Sequence, residues 1–199
     1  MNQIVSKEEL DKLKKLKGKV RGMSFKTTEE FILKEKGKDG LKKFEEAMAM
    51  LGYPIKYQEI KPMDFYPLWA DALKLLVIKR LFDFNNKKFQ EMGRFESKIS
   101  LIMRIFIQYF VSLKKAVKEA PRLWKKYFTV GDLKVVEFDE QKRYVVFRIE
   151  NFHHHPLSCE AQKGYFPSIL QIIVKKPVSC EETKCIHRGD EYHEFLMKW

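Results

Sequence analysis

The chain has 199 residues, 45% of them hydrophobic and 14% aromatic, so it holds material for a packed core and has no composition of disorder. Its three cysteines are an odd number and too few for a disulfide scaffold, which fits a reducing compartment with free thiols. A formal charge of +12 raises nucleic acid and anionic membranes as partners. The lysines are nevertheless spread along the chain among acids, with no nucleic-acid-binding module, and a solvated surface is the simpler reading.

No Pro-, Gly- or Ser-rich linker divides the chain, so a single domain over 1–199 is expected, with a mainly helical part (1–128) and a β-rich part (129–199). The charged run Lys7 to Leu16 lacks the apolar stretch of a secretory leader, and a cytoplasmic protein is expected. Ser6-Lys-Glu-Glu9 is a capping box that opens a helix reaching about Leu16, before Gly18. Thr27-Thr-Glu-Glu30 repeats the signature and predicts a helix over 28–36, stopped by Gly37. A third helix after Asp39 carries Leu41, Phe44, Ala47, Met48 and Leu51 on one face, with Gly52 as its cap.

After an irregular stretch between Pro54 and Pro62, Pro67 predicts the start of a helix that is apolar on most faces, through Leu68, Trp69, Leu73, Leu76 and Leu81. Ser97 predicts the cap of a long apolar helix containing Ile99, Phe106, Tyr109 and Phe110. Arg104 and Gln108 interrupt it, so it falls short of the roughly 20 apolar residues of a membrane span. Pro121 predicts the start of a basic, aromatic helix through Trp124 and Phe128.

At Gly131 the pattern changes. Residues 133–138 and 143–149 are rich in β-branched and aromatic residues around the polar turn 139–142, which predicts a hairpin. A helix over 157–173 follows, then strands at about 174–181 and 191–198. The fold class is α+β: an N-terminal helical bundle packed on a small antiparallel sheet of two β-hairpins joined by a crossover helix.

The last forty-one residues carry the chemistry. Cys159, Glu182, Cys185 and His193 are soft and borderline ligands of the types that bind zinc. Spacing leaves this open: Cys180 lies close, neither Cys pair is a C-x-x-C, and ordinary cysteines with a surface His would look the same. In His153-His154-His155 only the first and third share a face of an extended segment, so the run reads as a polar loop, with His155 a possible extra ligand.

The segment from Cys159 through Gly164-Tyr-Phe166 to Val178-Ser-Cys-Glu-Glu-Thr-Lys-Cys185, Gly189-Asp190 and His193-Glu-Phe195 resembles the second half of a 4-vinyl reductase domain. The likeness covers roughly 128–199 and extends back to about residue 20 by helix order alone. That family shares a superfamily with haem nitric-oxide-binding sensors and vesicle-tethering transport-particle subunits. The resemblance implies a structural Zn2+ on Cys159, Glu182, Cys185 and His193, with His193 where the family has a third Cys.

The resemblance further implies a cavity for a small hydrophobic or aromatic ligand, for which Trp69, Phe106, Tyr109 and Phe110 are the candidates. It implies a sensor that signals through a homodimer or a partner protein, the alternative being an assembly adaptor with no small ligand. Haem is not expected, because all five histidines lie at or after 153 and no Tyr-x-Ser-x-Arg motif occurs. No nucleophile–base pair, phosphate loop or redox-cofactor motif is present, and an enzyme is not expected.

Overall fold

The computed structural model describes residues 4–99 and 112–199. Helix α1 (Lys7–Lys14) opens on the expected capping box: Glu9 N donates to Ser6 Oγ (3.2 Å), and Ser6 N donates to Glu9 Oε2 (3.0 Å). Strand β1 (Lys19–Arg21) pairs antiparallel with β2 (Phe65–Pro67), a small ribbon that the apolar periodicity did not announce.

Helix α2 spans Met23–Met50 with one non-helical residue, Gly37 (φ 68°), where the sequence places a stop. Its beginning differs from the sequence reading. Thr27 and Thr28 lie buried inside the helix, and their hydroxyls donate back to Ser24 O (3.2 and 2.8 Å) instead of capping a new N-terminus. Pro67 is the N-cap of α3 (Leu68–Phe82), so the helix starts one residue later than expected.

Helix α4 (Asn86–Ile99) has too few apolar positions to stand out as a helix, and it corrects the reading of Ser97. That residue is interior and buried, and its hydroxyl donates to Arg94 O (2.8 Å) and meets Ser168 Oγ at 2.7 Å. Helix α5 (Leu113–Tyr127) is capped by Ser112, with Pro121 inside it rather than at its start. Phe106, Tyr109 and Phe110 fall outside the described residues.

The main sheet contains β3 (Asp132–Asp139), β4 (Tyr144–Glu150), β5 (Ser179–Lys184) and β6 (His193–Lys198) in the antiparallel order β3-β4-β6-β5. Helix α6 (Pro156–Val174) connects β4 to β5. It crosses α4 at two glycines. A Cβ on Gly93 would lie 1.9 Å from Ala161 O, and one on Gly164 would lie 1.9 Å from Gln90 O, so the two backbones touch where no side chain intervenes. The inward residues of β4 and β6, Val145, Phe147, Ile149, Phe195 and Met197, pack with α3 and α6 into one apolar core.

Candidate functional site

Two constellations stand out, one on each side of α6. The first gathers the four ligand-type residues. Alternation along β6 turns His193, Phe195 and Met197 inward, and the facing residues of β5 are Glu182 opposite Phe195 and Cys180 opposite Met197. Glu182 therefore sits one pleat from His193, whereas Cys180 is two residues farther along and stays outside the group. An irregularity at Thr183 lets the chain turn, so that Cys185 precedes a short 3-10 turn (Ile186–Arg188) with its N–H on Asp190 Oδ2 (2.7 Å). Cys159 enters from the first turns of α6.

The ligand atoms of Cys159, Glu182, Cys185 and His193 all lie within 4.8 Å of one another, and both cysteines and the histidine are buried. Cys159 Sγ is 3.8 Å from Cys185 Sγ and 3.6 Å from His193 Nδ1. His193 Nε2 can only donate to Phe152 O (3.2 Å), which leaves Nδ1 of the neutral ring as an acceptor. That acceptor faces another, Glu182 Oε1, at 3.2 Å, so something positive belongs between them: a proton or a metal ion. Burial would raise the Glu182 carboxyl, but its close polar contacts with His193 and the two cysteines, with Arg188 at 3.1 Å, hold it below its usual range. Burial pushes the Cys159 thiol far up, the opposite of what a bound cation does. His155 is occupied elsewhere, its Nδ1 accepting from Leu157 N (3.2 Å) at the start of α6.

The second constellation lines a cavity of about 170 Å³ among α2, α3, α4, α5, α6 and the sheet. Most of the wall is apolar, including Val20, Leu75, Met92, Val117, Trp124 and Phe166. One end is polar. Asp71 and Lys74 face it from α3, Ser24 and Thr27 from α2, Glu96 from α4, Gln162 from α6, and His154 from the segment just before α6. Lys74 is fully buried and its Nζ donates to Ser24 O (3.1 Å), Ser24 Oγ (2.9 Å) and Asp71 Oδ1 (2.8 Å). Ser24 Oγ donates to the same carboxylate (2.6 Å), and His154 Nε2 lies 3.2 Å from Asp71 Oδ2.

Burial alone would raise the Asp71 carboxyl, but Lys74 and His154 together hold it well below the usual range. Burial dominates at Glu96, whose carboxyl is pushed up to about 7 although Lys74 opposes it. These polar residues escaped the sequence reading, which took α3 for a core helix. The signal in the chain was Asp71-x-x-Lys74, an i,i+3 charge pair inside a run that is otherwise apolar. Trp69 is not in the cavity wall; it packs edge-on against Tyr53 at 4.9 Å under Lys14.

No protein-family model and no curated protein match the chain. Its solved structural neighbours do. An H-NOX protein from S. oneidensis, described in the Fe(II)NO ligation state, superposes with a TM-score of 0.68 over 89% of this chain and 98% of its own, at 11% identity. A doubly substituted variant of the Tt H-NOX gives 0.64 over 90% and 94%, at 16% identity. A Cs H-NOX variant gives 0.63 over 89% and 95%, at 17% identity. The fold is that of H-NOX domains.

This corrects the family drawn from the resemblance. The 4-vinyl reductase likeness rested on a few residues of the crossover helix and the final hairpin, whereas the H-NOX likeness runs over the helical half and the sheet together. The structural Zn2+ implied by that resemblance loses its support with it: the H-NOX structures are described by iron ligation and, in one case, haem redox potential.

Haem itself does not fit the described residues. The H-NOX fold here encloses about 170 Å³, near the roughly 150 Å³ of a cavity that takes benzene, and a tetrapyrrole is several times larger. Haem iron is commonly held by a histidine or a cysteine thiolate. Of the five histidines only His154 lines the cavity, and it is held beside Asp71 and stacked on Phe152 at 5.7 Å. The three cysteines lie in the other cluster or beside it.

Proposed function

We propose that the chain is a small-molecule sensor domain whose H-NOX-like fold holds a compact, largely apolar ligand in place of haem and passes the binding event to a partner. The observation that carries this reading is the cavity: apolar around most of its wall, sized for about one aromatic ring, and closed at one end by buried groups that could orient a ligand. Among the described residues no helix is long and apolar enough to cross a membrane. A ligand that favours one packing of α3, α4 and α6 shifts the population toward it, and a partner protein or a second copy reads that surface. The whole chain acting as one domain, without catalytic chemistry, belongs to this reading.

Titration with toluene, followed by NMR, tests it. The protein should bind toluene at one site with shifts confined to cavity residues, and Ala116→Phe, which fills the wall at a buried position, should abolish binding without unfolding the chain. Added haemin should give no sharp one-to-one Soret band. Absence of toluene binding, or stoichiometric haem uptake, would overturn the proposal.

The facing acceptors of His193 and Glu182 favour a second element of the reading, namely that the four-residue cluster holds a thiophilic transition-metal ion which displaces the thiol protons. Protein purified without a polyhistidine tag should contain about one equivalent of such a metal, and Cys159→Ser should lose it. Metal-free wild-type protein of unchanged thermal stability would reduce the cluster to a hydrogen-bonded network.

A further inference from the structure

The donors and acceptors at the polar end of the cavity do not balance. Lys74 spends its three N–H groups on Ser24 and Asp71, so it has none left for an anion. What remains is acceptors. Gln162 Oε1 is buried without a hydrogen-bond partner, and so are both ring nitrogens of His154, although Nε2 lies 3.2 Å from Asp71 Oδ2; with the ring proton on that Nε2, Nδ1 is a bare acceptor. Both residues are more than nine-tenths buried and both line the cavity. The Glu96 carboxyl joins them; among the described residues its close polar contact is the Thr27 hydroxyl, on Oε1 at 3.2 Å.

Charge points the same way. Asp71 and Lys74 cancel each other. When Glu96 ionises, the described residues of the polar end carry one uncompensated negative charge beside an apolar chamber, and a buried charge calls for a partner. An anionic ligand would meet Asp71 and Glu96 with no free cation among the described lining residues; a ligand with no donors would leave Gln162 and His154 unsatisfied.

We infer that the ligand of this cavity is a small protonated amine on a compact apolar body, its N–H donors meeting the Glu96 carboxylate, Gln162 and His154 while the body fills the apolar chamber. This rests on the cavity being a ligand site, as proposed above. Binding is linked to loss of the Glu96 proton. The groups that face Glu96 are Thr27 on α2, Asp71 and Lys74 on α3, and Tyr165 on α6 with its neighbour Tyr127 on α5. Burial drives the Tyr165 hydroxyl well above its usual range, so that phenol stays neutral, and Glu96→Gln separates the Glu96 part of the pH response from any part carried by His154 beside Asp71.

The test uses three probes of one size, benzylamine, toluene and benzoate, titrated calorimetrically at pH 6 and pH 8.5 into wild type and Glu96→Gln. With the Glu96 carboxyl near 7, benzylamine should bind roughly tenfold tighter at the higher pH, toluene equally at both, and benzoate more weakly than toluene. Glu96→Gln should keep toluene binding, which shows that it is folded, and lose both the pH response and about tenfold of benzylamine affinity. If toluene binds and benzylamine binds no tighter at either pH, the amine inference fails while the ligand cavity stands. If none of the probes binds wild type, both fall.

Discussion

Lys74→Met should cost the fold about 3–5 kcal/mol at neutral pH, because it strips the ammonium from a buried carboxylate. In the wild type Asp71 is held by Lys74, Ser24 and His154, with Lys74 also lying 4.9 Å from the Phe25 ring centroid. Without Lys74 the carboxylate keeps one hydroxyl and one imidazole, and burial then works against its charge. Chemical denaturation at pH 7 measures the loss. The double variant Asp71→Leu/Lys74→Met should recover much of it, since removing both partners leaves no orphaned charge.

The pH dependence follows from the sign of the shift. The folded Asp71 carboxyl lies below its unfolded value, so its contribution is complete above about pH 4 and fades as pH falls toward the folded value. In Lys74→Met the burial of Asp71 is no longer opposed by Lys74 and raises its carboxyl instead, so the variant should regain stability as pH falls from 7 toward 4 and the gap to wild type should narrow. Glu96 has the opposite sign. Its carboxyl is raised to about 7 in the fold, so wild-type stability should decline as pH rises from about 4.5 to 7, a slope that Glu96→Gln flattens.

Gly164→Ala and Gly93→Ala should each destabilise by about 3 kcal/mol or more, at the upper end of what overpacking a core costs. The new methyl would sit 1.9 Å from a carbonyl oxygen of the facing helix in each case, and that oxygen belongs to backbone, which cannot swing aside like a side-chain tip. Separation of α4 from α6 would also move Glu96 and Gln162 apart, since they line the cavity from those two helices. Toluene affinity should therefore fall in both variants even below their melting temperatures. Thermal melts with and without toluene read both effects, and a wild-type melting temperature in either variant would show that the helices do not cross so closely.

Local chemistry made part of this fold legible. The Ser6 capping box, the Gly37 interruption and the β3–β4 hairpin with its polar turn are written in a few adjacent residues each. What escaped depends on distant partners. Thr27-Thr-Glu-Glu30 has the form of a cap, yet the preceding turn from Met23 is helical because Phe25 and Thr28 are buried against the core. Ser97 likewise reads as a cap, but it meets Ser168 seventy-one residues away. Helix α4 is anchored by Phe89, Met92 and Gly93, a narrow stripe without a strong apolar pattern.

The same division holds for the candidate sites. Cys159, Glu182, Cys185 and His193 could be picked from the chain because ligand chemistry restricts residue type, and the structure brings their ligand atoms together. The cavity residues could not. Asp71, Lys74, Glu96 and Gln162 are ordinary surface types by composition, and only burial converts them into a recognition set. Aromatic residues on a helix, as at Trp69, do not reveal which face meets a cavity.

The most direct measurement is a crystal structure of the untagged protein soaked with toluene or pressurised with xenon. Density inside the chamber bounded by Leu75, Met92, Val117 and Phe166, with Asp71 and Lys74 still paired at its end, is the predicted result. A chamber collapsed by repacked side chains, or one filled by haem, would contradict the account.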